Sequence, residues 1–93
     1  MSEPVTPDEL DAVAARLVRL DRSAGTGWTR SVIRLVERYP GISTSALARR
    51  AQRDRDALAS DLRRLADIGV TERSGTGHRL TPIGEAVAAA LDR

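Results

Sequence analysis

Cysteine is absent from the 93 residues, and histidine occurs once, as His78. A thiolate zinc site, a disulfide framework, a Cys nucleophile and any site needing two imidazoles are thereby excluded, and most enzyme chemistries go with them. Lysine is missing as well, since all fifteen basic residues are Arg. Gly25-Thr26-Gly27 therefore has no lysine to complete a phosphate loop, and its spacing also misses the dinucleotide fingerprint. Phe is absent, and Trp28 and Tyr39 are the only aromatic residues. The core must come from Leu, Val, Ile and Ala, a set suited to packed helices. The longest apolar run, Ala86 to Leu91, falls far short of the roughly 20 residues a membrane-crossing helix needs. Met1 to Val5 lacks the basic start and apolar stretch of a secretory signal, so the expected location is the cytoplasm.

What remains is a chain of the size of one domain, with no room for a second core. The formal net charge of +2 is unevenly spread: residues 1–46 balance, residues 47–81 carry +3 and residues 82–93 carry −1. An electrostatic footprint for an anionic partner is expected in the middle stretch.

Hydrophobic spacing and capping residues divide the chain further. Thr6-Pro7-Asp8-Glu9 opens a first helix with a capping Thr, a Pro at the first helical position and Glu three residues after the cap. Its stripe is Leu10, Val13, Ala14, Leu17 and Val18, and it ends near Ser23-Ala24-Gly25. A second helix is expected from a cap at Thr29, with Trp28 as a staple on Ile33, and with Val32, Val36 and Tyr39 continuing the buried face until Pro40-Gly41. Ser43 caps a third, Thr44 to Ala51, with Ala46, Leu47 and Ala51 turned inward. Asp54 caps a fourth, in which Leu58, Leu62 and Leu65 form the buried face and Gly69 closes as a left-handed residue. The period then changes from 3.6 to 2: Val70–Arg73 and His78–Thr81 are expected strands around Ser74-Gly75-Thr76-Gly77. Thr81-Pro82 opens a last helix striped by Ile83, Ala86, Val87, Ala90 and Leu91. The recurrence of Gly-Thr-Gly at 25 and 75 falls in two expected loops and reads as coincidence.

A short helix with Leu47-Ala48, a turn, a helix with Leu58, Leu62 and Leu65, then Ile68-Gly69-Val70, a hairpin and Leu80-Thr81-Pro82-Ile83-Gly84 together resemble the winged helix-turn-helix family. Over residues 29–92 the order is most similar to small bacterial regulators of the MarR-like kind. The expected fold is therefore mainly α with a small β-hairpin: an N-terminal helix and linker over 1–27, a winged helix-turn-helix over 28–81 and a C-terminal helix over 82–93. Gln52 and Arg53 occupy the turn where that family carries Gly and a small apolar residue.

The resemblance implies that the helix after Asp54 enters the major groove of double-stranded DNA, while the hairpin tip between Arg73 and Arg79 reaches phosphates or the minor groove. Stepping about 100° per residue from the leucine face puts Asp56, Ser60, Arg63 and Asp67 outward, with Ala59 and Arg64 flanking. Arg63 can donate in two-pronged fashion to guanine, worth roughly 1–3 kcal/mol of discrimination, and Ser60 suits base edge or phosphate. Arg55 is placed for the DNA backbone, Thr44 and Ser45 for phosphate at the start of the third helix, and Arg73, His78 and Arg79 for contact by the hairpin. Each also has a plainer role. Asp54 caps its helix, Asp61 can pair with Arg64 and Asp67 with Arg63 or Arg64, and His78 can be an ordinary hairpin residue.

The function expected is sequence-specific DNA binding by a transcription repressor that has no catalysis and no cofactor. It would act as a homodimer through the N- and C-terminal helices, whose stripes otherwise close the chain's own core. The acids of the fourth helix motivate a rival, the same fold as an adaptor that binds protein.

Overall fold

The computed structural model describes residues 5–25 and 27–91. Its order is α1 (Pro7–Ala24), α2 (Trp28–Arg38), α3 (Thr44–Ala51), α4 (Arg55–Asp67), β1 (Thr71–Ser74), β2 (Gly77–Leu80) and α5 (Pro82–Leu91). The fold is thus mainly helical with one two-stranded antiparallel hairpin. Residues 92 and 93, expected to extend the last helix, lie outside the described residues.

The capping residues act largely as the sequence leads one to expect. Thr6 accepts from the Glu9 amide (3.2 Å), Ser43 from Ala46 (3.1 Å), Asp54 from Ala57 (2.9 Å) and Thr81 from Gly84 (3.0 Å). Each satisfies a first-turn N–H that has no partner inside its own helix. The exception is α2, which begins at Trp28 without a side-chain cap from its own N-cap residue. Thr29 is not the cap. It is buried within the first turn, and its amide and hydroxyl both donate to the Asp21 carboxylate, at 3.0 and 2.8 Å. Asp21 belongs to the last turns of α1, so one helix closes the start of the next.

The core gathers Val13 and Leu17 of α1, Val32, Ile33 and Val36 of α2, Leu47 and Ala48 of α3, Leu58, Leu62 and Leu65 of α4, Val70, and Val87 and Ala88 of α5. Three stripes are turned from their expected positions. In α1, Ala14 and Val18 are exposed, because the helix leans on α2 and α5 along only one edge. In α3, Ala48 is buried while Ala46 and Ala51 are half-buried. In α5, Gly84, Val87 and Ala88 face inward and Ala90 is exposed. A Cβ on Gly84 would stand 2.0 Å from the Val70 carbonyl oxygen, so α5 meets the residue just before β1 at a distance only glycine permits.

The turn between α3 and α4 is held by Gln52, which takes the left-handed conformation (φ 54°) that glycine more commonly fills. Its N–H reaches the Ala48 and Arg49 carbonyls, and Arg53 N–H reaches Ala48 at 3.0 Å. Arg53 then pairs with Asp61 of α4 at 2.6 Å. Asp61 thus pairs across the turn rather than with Arg64, because its position on α4 lies beside the leucine face and its side chain is largely buried.

The hairpin pairs Thr71 with Leu80, Glu72 with Arg79, Arg73 with His78 and Ser74 with Gly77. Gly75-Thr76 is then a two-residue turn, tighter than the expected four. Val70 lies ahead of the strand, fully buried, and its carbonyl accepts from the Thr81 amide at 3.0 Å. On its other side, β2 touches the chain entering α3: Gly41 N–H donates to the His78 carbonyl at 2.9 Å and Ser43 bridges Gly77. A Cβ on Gly77 would fall 1.8 Å from the Ile42 oxygen. Gly77→Ala should therefore cost more than about 2 kcal/mol, measured as a drop in chemical-denaturation midpoint. A stability within 0.5 kcal/mol of wild type, the usual range for about any plain surface change, would show that the hairpin does not need this contact.

Candidate nucleic-acid interface

Leucine burial on one side of α4 decides what the other side offers. With Leu58, Leu62 and Leu65 in the core, the residues about 100–150° around the helix point outward. They do not meet flat solvent, because the hairpin and the start of α3 rise on either side. Thr44, Arg55, Asp56, Ala59, Ser60, Arg63, Ala66, Arg73 and His78 line one open concavity of about 530 Å³. Most of the residues singled out from the sequence thus converge here, although they come from three segments.

Ser45 stands just outside the lining and is tied to it, since its hydroxyl accepts from Arg55 Nε at 3.0 Å. Arg55 also contacts Asp56 at 3.2 Å, so one guanidinium joins the first turns of α3 and α4. Both side chains are exposed, and such a pair contributes little to stability. It does lower the charge that Asp56 presents to the concavity. Among the described residues, Arg63, Arg64 and Arg73 make no ion pair, and neither does Asp67. The expected pairing of Asp67 with Arg63 or Arg64 is absent, and of the lining cations Arg63 and Arg73 are left without an acidic partner while Arg55 is engaged by Ser45 and Asp56.

Two expected residues lie elsewhere. Arg64 is about 100° around the helix from Arg63 and is exposed outside the concavity. Arg79 is turned from it by the alternation of the strand: Arg73 and His78 share one face of the hairpin, Glu72 and Arg79 the other. Arg79 Nε donates to Glu72 at 2.7 Å and borders a different hollow, beside Val36, Pro40 and Glu85. Ala66 was not singled out beforehand. It follows Arg63 by three residues on the same helical face, and the helical period could have shown it.

His78 differs from the rest. Its Nδ1 is buried without a hydrogen-bond partner. Burial, and then the neighbouring Arg73 guanidinium, hold its pKa below the ordinary 6.5. The ring is therefore neutral at pH 7. Among the described residues no group of three or more His, Asp or Glu could hold a metal ion, and no helix is long and apolar enough to cross a membrane.

The lowered pKa fixes the sign of a pH effect. The unfolded chain binds a proton at His78 more readily than the folded one, so this contribution to stability is present above pH 6.5 and lost as the pH falls toward the folded value. The difference in melting temperature between wild type and His78→Gln should shift against wild type between pH 7.5 and 5, on the order of the unperturbed imidazole range. A difference that stays constant across that range would remove the assigned environment of the ring.

A family model described as HVO_A0114 matches residues 27–93, which takes in α2 onward and leaves α1 outside the match. No curated protein matches the chain.

Proposed function

The chain belongs to the HVO_A0114 family, and we propose that it is a cytoplasmic winged helix-turn-helix transcription repressor that binds double-stranded DNA and performs no catalysis. In this reading α3 and α4 are the helix-turn-helix, α4 is the element that enters the major groove, and the β1–β2 hairpin is the wing. The observation that carries it is the convergence of Arg55, Ser60 and Arg63 with Arg73 and His78 on one open concavity. Arg63 has no internal acidic partner and stands near the middle of the helix, where a bidentate contact to guanine is geometrically natural. Arg55 and Ser45, already linked, suit a phosphate at the start of α3, with Thr44 beside them. Arg73 serves the backbone from the hairpin side, and Arg64 adds charge at the rim.

A salt titration tests this reading. Affinity should fall with log–log slope near −0.9 per phosphate neutralised, and Arg63→Glu should weaken specific binding by about tenfold to a hundredfold. Asp56→Arg should raise affinity for random duplex several-fold, on the order expected for one added phosphate contact. A flat salt response, or an Asp56→Arg variant that gains nothing, would favour the adaptor reading, in which the Asp56 carboxylate, exposed on the lining, docks a protein.

The same reading includes a homodimer. Leu10, Ala14 and Val18 of α1 and Val87, Ala90 and Leu91 of α5 line an apolar hollow of about 490 Å³, and Val18 is half exposed. A two-fold pairing of these helices would present two copies of α4 about one DNA turn apart, roughly 34 Å. Val18→Glu should convert the dimer to monomer in sedimentation at micromolar concentration while leaving the helical circular dichroism unchanged. A monomeric wild type would remove the dimer.

A further inference from the structure

The basic surface expected within residues 47–81 has a counterpart that block sums along the chain do not reveal. Arg30, Arg34 and Arg38 recur every four residues on α2 and so form one row. The row lies roughly 150° around the helix from Val32, Ile33 and Val36, the residues that α2 buries. At its end the Arg38 guanidinium stands 5.5 Å from the centre of the Tyr39 ring, and Arg50 of α3 stands 4.6 Å from the same ring. Together they border a shallow concavity of about 500 Å³. Arg30 donates to the Leu91 carbonyl at 3.1 Å and Arg34 pairs with Glu37 at 2.9 Å, so these two shape the rim. Arg38 and Arg50 have no ion pair among the described residues. Two guanidiniums are thus held near each other by one phenol, without an acid to neutralise them.

We infer that this α2–α3 surface is a second, sequence-independent contact for the phosphate backbone of duplex DNA, so that one protein bridges two duplex segments. The inference rests on the reading that the α4 concavity holds the first. Charge complementarity is the argument for the occupant. The two groups that could anchor a folded protein are already engaged: Leu35 and Tyr39 are both half-buried against the core, and the Tyr39 ring is covered by the Arg38 and Arg50 guanidiniums. A polyanion needs no such anchor. The location argues for a separate segment. α2 packs on α4 through its inner side, so its outer row faces away from the concavity where the first duplex would lie.

The test uses the full chain and two short duplexes, about two helical turns long, one carrying a donor dye and one an acceptor. Wild type should bring them together, giving energy transfer that disappears as salt rises. Arg38→Glu with Arg50→Glu should cut the transfer about fivefold or more, as expected for lost phosphate contacts, while affinity for a single duplex stays within about twofold. The gentler pair Arg38→Gln with Arg50→Gln, with an unchanged melting temperature, should give an intermediate loss and guards against misfolding. Transfer unaffected by either pair would overturn the proposal, since bridging would then come from the two α4 concavities of a dimer. So would a single-duplex affinity that falls as far as in Arg63→Glu, because the two surfaces would then share one footprint. If Arg63→Glu keeps full duplex affinity while the α2–α3 variant loses it, the α4 reading fails and the α2–α3 surface stands alone as a polyanion site.

Discussion

Gly77 lies against the Ile42 carbonyl because it carries no side chain, and the candidate interface depends on that approach. The contact joins the hairpin to the chain entering α3, with the Gly41 amide and the Ser43 bridge on either side of it. Ser43 is also the cap of α3, so the residue that starts the helix is the one that edges the hairpin. From α3 the constraint passes through the left-handed Gln52 and the Arg53–Asp61 pair to α4. Arg73 and His78 therefore stand opposite Arg63 by a short chain of fixed geometry, not by the hairpin's own stability. Two strands of four residues would be marginal alone.

The acids of α4 look at first like an argument against a polyanion, since they equal the bases in number along that segment. Their placement removes most of the objection. Asp54 is used by the Ala57 amide, and Asp61 is buried beside Arg53. Asp67 sits at the far end of the helix outside the concavity, and Asp56 is partly offset by Arg55. The side of α4 that faces the concavity is thus less acidic than the segment that supplies it. Net charge along a sequence is a poor guide to field on a surface when individual carboxylates have local tasks.

The same distinction separates what was legible in the sequence from what was not. Local rules sufficed for α3, whose limits of Thr44 and Ala51 follow from Ser43 and the residues after it, and for the outward face of α4, which follows from three leucines and a 3.6-residue period. Features that depend on a second element were not legible. Thr29 has the composition of a cap, but Asp21 supplies the cap across a loop, and only packing reveals that. Arg79 is a different case: position near the hairpin tip groups it with Arg73 and His78, although the expected strand limits already pair Arg73 with His78. Successive residues of a strand alternate in face, so Arg79 falls with Glu72 on the other side. Gln52 fills a position where glycine would have announced the turn. The row on α2 was hidden for a different reason. Its arginines are balanced in sequence by acids that lie mostly on α1, and only the folded helices separate the two signs.

α2 emerges as the frame that relates these surfaces. Its inner side holds α4 through the core, its first turn is closed by Asp21 of α1, and Trp28 Nε1 donates to the Leu20 carbonyl. Its Arg30 reaches the end of α5. The apolar hollow between α1 and α5 is therefore fixed relative to α4 through α2, with a second link from Gly84 of α5 to Val70, whose N–H donates to Leu65 of α4. In a two-fold assembly on that hollow, the distance between the two α4 helices would be set by how α1 meets α2, and the carboxylate of Asp21 holds that junction. Because the junction carries two hydrogen bonds on a half-buried acid, a small change there would tilt the assembly face without touching any residue of the concavity. Specificity for a single half-site and specificity for half-site spacing would then reside in different parts of the chain, the first in α4 and the second in the α1–α2 corner.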